Sequence, residues 1–377
     1  MRAADAIVVG GGPAGSTFAG ALAAAGLDVV VLDQAQFPRH KVCAGWITPG
    51  VVDALSLDLQ DYGRTRVLQR ITRFRTGLVG GPVLETEYGR TVSYGILRCE
   101  FDAYLLRRSG AAAREGARVG TIEREGRDWI VNGETRGPLL VGAGGHFCPV
   151  ARHLGARRER DSVVVAQEIE LQLTGDQERE TAVRGDTPEL YFCADLKGYG
   201  WAFRKGDRLN VGLGRLDRQA LTAHVAAFRD FLVSTRRVPS DLPARWNGHA
   251  YLLYEAQRPR VVEDGALLVG DAAGLAYAAS GEGIRPAVES GLLAAETVLS
   301  ARGQYGRENL EPYRRALDAR FGNGGRRFFP PVPAGLVAAA GRRLFRTGWF
   351  AKRVVLDRWF LHAELPALRT ARTAIGP

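Results

Sequence analysis

"DAIVVGGGPAGSTFAGALAAAGLDVVVLD", residues 5–33, is the stretch on which the fold turns. Its apolar run from Ala6 to Val9 suits a strand buried on both faces. Gly10, Gly12 and Gly15 then complete a G-x-G-x-x-G turn that also contains Pro13 and Ala14. An Ala-rich segment follows to Ala25, which favours helix, with Gly26 placed to end it. A second β-branched run closes on Asp33. The three glycines serve different ends. Gly10 permits the tight turn, Gly12 lets backbone approach a pyrophosphate, and Gly15 lets helix and strand pack closely. The helix start offers free N–H groups to phosphate. Asp33 stands eighteen residues after Gly15, where a carboxylate can accept from ribose hydroxyls. A lone glycine motif is weak, but strand, turn, helix, strand and acid in this order predict a dinucleotide-binding unit.

The chain has 377 residues, more than one simple core usually supports, so two interleaved domains are expected. Cys43, Cys99, Cys148 and Cys193 show no zinc or dithiol spacing, and the six histidines show no metal spacing, so no metal is expected. With no secretory signal at the start and no long apolar span, the expectation is a cytoplasmic protein, with peripheral contact on the inner membrane surface as an option. Of the net charge of +10, residues Gly324 to Pro377 supply +8, from ten Lys or Arg against Asp357 and Glu364. The charge belongs to the tail.

A second nucleotide-facing region lies far downstream. In "GALLVGDAAGLAYAASGEGIRPAVESGLL", a strand leads into Gly270-Asp271, and Asp271 can accept from a sugar-alcohol chain. The loop through Gly281, Gly283 and Ile284 would place backbone N–H groups at a helix start beside an electron-accepting ring. Together with the opening turn, Asp33, "KVCAGWITP", "LRCEFDAYL" and "GYGWAF", the chain resembles FAD-dependent oxidoreductases of the p-hydroxybenzoate hydroxylase fold, particularly the geranylgeranyl reductase family. The resemblance reaches to about Leu310. It implies non-covalent FAD, with Gln34, Lys41, Cys43, Ala44 and Arg98 joining the cofactor set; a surface role for Arg98 is the plain alternative. It also implies an α/β fold: a Rossmann-type FAD domain at 1–69, 95–155 and 250–310, a substrate-binding antiparallel sheet at 70–94 and 156–249, and a basic helical region at 311–377.

In the sheet half, alternation puts Tyr199, Trp201 and Phe203 on one strand face, either as ordinary sheet core or as a pocket wall. The family carries Tyr-x-Trp-x-Phe-Pro here; this chain has Arg204 in the Pro position. Similar reductases have Lys-x-Cys-Gly-Gly where this chain has Lys41-Val42-Cys43-Ala44-Gly45, in a loop that must nearly touch the flavin. Cys43, Tyr199 and Trp201 are thus the candidate catalytic residues, with simple packing as the alternative for Cys43. The resemblance implies reduction of C=C bonds in an isoprenoid or other apolar substrate; the external electron donor stays open, with NAD(P)H, ferredoxin and quinol as the alternatives. An aromatic or natural-product monooxygenase is the rival, weakened because Gly144 occupies the slot of that subgroup's Asp. A flavin-binding redox partner without catalysis is the third reading. Within the tail, 335–346 and 349–362 read as two short helices, which either pack on the body or lay their arginines and aromatics on an anionic membrane or near a lipid substrate. No recognition module accompanies the charge, so nucleic acid is not an expected partner. No feature indicates oligomeric state.

Overall fold

A computed structural model of the chain describes residues 1–156, 163–216, 220–253, 260–322 and 343–368. The opening stretch folds as its pattern dictates. Strand Ala6–Val9, helix Pro13–Ala24 and strand Val29–Asp33 form a right-handed start to a six-stranded sheet. That sheet places Ala6–Val9 between Val29–Asp33 and Leu139–Gly142, and Leu139–Gly142 in turn pairs in parallel with Ala266–Leu268. The strands Ala6–Val9 and Leu139–Gly142 are buried throughout, the burial expected of a sheet covered on both faces. Gly26, at φ +86°, ends the helix in the left-handed region.

The second half is a seven-stranded sheet, antiparallel except where Glu189–Phe192 runs parallel to Arg73–Leu78. Its centre is the hairpin Gly198–Lys205 and Arg208–Arg215, closed by Gly206-Asp207 with Gly206 at φ +60°. On one face helix Leu221–Ser234 covers an apolar layer containing Val211, Leu213 and Phe228. The other face carries Trp201, Phe203, Leu190 and Phe192 and looks toward the nucleotide half. A three-stranded sheet of Trp46–Ile47, Leu68–Ile71 and Ser93–Ile96 joins segments across 69/70 and 94/95, the positions expected to divide the two domains.

The helix within LRCEFDAYL begins at Arg98, which sets Arg98 and Asp102 one turn apart on the same face. In the tail, the helix expected at 349–362 is present as Phe350–Phe360, while most of the one expected at 335–346 lies outside the described residues. The helix at 350–360 packs on the body: Val355, Leu356 and Phe360 join the apolar layer of Trp201 and Phe203. Among the described residues no helix is long and apolar enough to cross a membrane, and no cluster of His, Cys, Asp or Glu could hold a metal ion.

Candidate active site

One cavity of about 680 Å3 runs from the glycine turn to the aromatic face of the large sheet. Of the residues expected to bind cofactor, Gly10, Gly12, Pro13, Ala14, Asp33, Gln34, Lys41, Cys43, Ala44, Arg98, Asp271, Gly281, Gly283 and Ile284 line it. Gly15 and Gly270 lie behind the wall and act by packing. A Cβ on Gly15 would sit 1.9 Å from the Gly10 carbonyl oxygen, and one on Gly270 would sit 2.9 Å from the Ala14 methyl. Gly12 differs, since an added Cβ would meet only Arg39, at 3.4 Å. The fold does not require a glycine there, but the open cavity beside it would lose that space. This is the close approach that a pyrophosphate needs, and the arrangement fits the phosphates of FAD.

The charges around this end are arranged for an anion. Arg98 makes two 2.9 Å hydrogen bonds to Asp102, and Arg39 stands 3.2 Å from the same carboxylate. Lys41 is pushed below the usual lysine range by burial, with Arg98 and Arg39 adding like-charge repulsion. Its Nζ lies 2.9 Å from His249 Nε2, and burial followed by the Lys41 charge pushes that imidazole down to about 3, so the ring is neutral. Asp271 is raised above the ordinary carboxylate range by burial, an effect opposed by Lys41 and Arg98. Asp33 accepts Gly11 N–H at 2.7 Å and Ala35 N–H at 2.9 Å, one on each oxygen. Each oxygen keeps a further lone pair for a ribose hydroxyl.

The Cys43 loop crosses the cavity and is held from beneath by the large sheet. Lys205, buried, donates to Ala44 O at 3.0 Å and Ile96 O at 3.1 Å and pairs with Glu170. Asn210 donates to Cys43 O at 3.3 Å while its own oxygen accepts the Trp201 indole N–H at 2.7 Å. Glu168 takes a backbone hydrogen bond from Cys43 and is pushed up to about 7, chiefly by burial. His40, which lines the cavity, stands 4.0 Å from it. Arg98 hydrogen-bonds the Cys43 side chain, whose sulfur also accepts Gly45 N–H at 3.4 Å. The polar cluster of Glu168, Glu170, Lys205 and Asn210 was not expected from sequence.

At the aromatic end, Tyr199 and Trp201 line the cavity, joined by Trp46 and Phe360. Trp201 fits because its partner across the hairpin is Gly212, where a Cβ would fall 2.2 Å from the indole. Phe203, expected in the pocket wall, does not line the cavity; it is buried one layer back, 5.8 Å from Trp46. Tyr199 and Trp201 were expected among the catalytic residues. However, the Tyr199 hydroxyl donates to Ser280 O, burial raises its pKa, and the Trp201 N–H is taken by Asn210, so their geometry is that of wall residues.

Residues 8–54 match the model of an NAD(P)-binding Rossmann-like domain. A menaquinone reductase of Mycolicibacterium smegmatis is 32% identical over 322 residues, covering 79% of this chain and 76% of that one. The digeranylgeranylglycerophospholipid reductase of Methanocaldococcus jannaschii is 26% identical over 338 residues, covering 82% and 81%. A geranylgeranyl bacteriochlorophyll reductase-like protein of Thermoplasma acidophilum has the same fold, with a TM-score of 0.73 over 92% of this chain and 88% of that one, at 21% identity. The chain is an FAD-dependent oxidoreductase and belongs to the geranylgeranyl reductase family.

Proposed function

We propose that this enzyme reduces C=C bonds in an isoprenoid or comparably apolar substrate. The observation that carries the reading is the aromatic wall of Tyr199, Trp201, Trp46 and Phe360, which closes on the Cys43 loop in the cavity that begins at the glycine turn. Bound and reduced, FAD supplies a hydride to one alkene carbon, and a proton must reach the other. Gly10, Gly12, Pro13, Ala14 and the start of helix Pro13–Ala24 would hold the pyrophosphate, with Arg98 and Lys41 balancing its charge. Asp33 and Gln34 would face the adenosine ribose, and Asp271 the ribityl chain. Gly281, Gly283 and Ile284, at the start of helix Ile284–Ala301, would turn N–H groups toward the ring. Ala44 and Cys43 would lie against it.

The protein's share is to orient the alkene, exclude water and manage the proton. Burial, which pushes Glu168 up to about 7, lets its carboxyl hold a proton beside the Cys43 backbone, and the half-exposed His40 stands 4.0 Å from it. Cys43, touching the cavity and tied to Arg98, is the side chain best placed to face substrate. The electron donor is NAD(P)H or ferredoxin in this reading. Membrane-surface contact is part of it too: Trp349 and Leu344 are exposed beside Arg343 and Arg346 on the tail, a basic and aromatic pattern that suits an anionic lipid face.

The test is to incubate the anaerobically reduced enzyme with a polyprenyl-lipid extract and weigh the products. A gain of about two mass units per double bond, without oxygen, is the expected result. No gain there, with a gain of about sixteen from a small aromatic panel once air is admitted, would replace the reading with a monooxygenase.

A further inference from the structure

Phe360 reaches the cavity from far along the chain, on a helix the family motifs do not include. Its ring lies parallel to Trp46, with centroids 5.6 Å apart and planes 7° apart, and stands edge-on to Tyr199 at 5.2 Å. All three line the cavity. Behind Phe360, Phe192 stands edge-on at 6.3 Å, and Val355, Leu356 and Leu361 are buried in the same layer. The C-terminal end of the helix that carries it, and the segment just past it, are fastened to the body. Asp357 accepts the Tyr88 hydroxyl at 2.6 Å, and His362 lies 3.1 Å from Glu282, between the two cavity glycines Gly281 and Gly283. Past the helix, Arg285 donates to Leu365 O at 2.8 Å and Arg320 to Pro366 O at 2.7 Å.

We propose that Phe360 is a specificity-determining residue: stacked on Trp46, it ends the aromatic channel and fixes how long an apolar chain the site accepts. This rests on the apolar-substrate reading above. Shortening the side chain would open a space bounded by Trp46, Tyr199 and Phe192, so that a longer chain continues toward the sheet. Each further methylene taken from water into that space should tighten binding roughly fourfold. Enlarging the side chain should do the reverse.

The experiment uses FAD-loaded enzyme and saturated n-alkanols of graded length, which bind without reacting, with affinity measured by calorimetry. In the wild type, affinity should climb with chain length and then level at one length. Phe360→Ala should move that break to longer chains and Phe360→Trp to shorter ones, with FAD content unchanged. Phe360→Leu, which keeps most of the apolar volume, should fall between wild type and Phe360→Ala and guards against a folding defect. A break at the same length in every folded variant overturns the stop while leaving the apolar reading intact. Absence of alkanol binding by the FAD-loaded wild type overturns both.

Discussion

Glu168→Gln removes one charge from beneath the Cys43 loop and leaves the shape of the side chain almost unchanged. The wild-type carboxyl is 1% exposed and its pKa stands at about 7, against 4.5 for an ordinary glutamate. A folded-state pKa above the unfolded value means that the native state binds the proton more tightly. Stability is therefore greatest when Glu168 is protonated, declines as pH rises from about 4.5 to about 7, and is level above that. A shift of this size corresponds to roughly 3 kcal/mol, most of which falls between pH 5 and pH 8.5. Glutamine can still accept from the Cys43 N–H but cannot ionise. The assay is urea unfolding of wild type and variant at both pH values, with free FAD held constant so that its binding contributes equally. The variant's advantage over wild type should grow by roughly 2–3 kcal/mol from the acid to the alkaline condition. Parallel pH profiles, within about 0.5 kcal/mol, would refute the reasoning and mean that water or a counter-charge reaches the carboxylate.

The paired glycines give a second check. Gly12→Ala should fold normally yet bind FAD tenfold or more weakly, about 1.4 kcal/mol, because the methyl enters only the cavity; equilibrium dialysis reads this directly. Gly15→Ala meets a backbone oxygen at 1.9 Å and should lower the thermal midpoint of the apoprotein itself. Lys205→Met strips three oxygen acceptors of a buried cation and should cost about 3 kcal/mol or more in chemical unfolding, with the protease sensitivity of the Cys43 loop rising in step. Trp349→Ala with Arg346→Glu should abolish sedimentation with anionic vesicles. Because Trp349 is 69% exposed, it should leave stability within about 0.5 kcal/mol of wild type.

The nucleotide half was legible because its constraints are local. Strand, turn, helix and second strand over Ala6 to Asp33 are each written in adjacent residues, and the glycines are required by distances within the same unit. The aromatic pair Tyr199 and Trp201 was legible through alternation alone. Alternation gives a face but not the layer above it, which is why Phe203 was placed on the right side of the strand and yet lies behind the cavity wall. Glu168 and Glu170 alternate with apolar residues in "QEIELQ", a pattern that usually marks a solvated face. Here the Cys43 loop covers that face, a long-range contact that spacing does not reveal. Phe360 was hidden for the same reason: the tail's composition suggested helix and surface charge, while its docking site lies on residues more than a hundred positions earlier.

The bonds that cross between the two halves carry a consequence for how electrons arrive. Lys205 and Asn210 tie the large sheet to the carbonyls of residues 43, 44 and 96, and Tyr199 ties it to Ser280 on the opposite rim. Swinging the halves apart would break all of these at once, leaving Lys205 with Glu170 as its partner. With the proposed chemistry, a chamber bolted in this way would keep its flavin between turnovers rather than release it as a shuttling co-substrate. In that reading the reducing equivalents would be brought to the flavin where it sits, through a wall that these bonds hold in place.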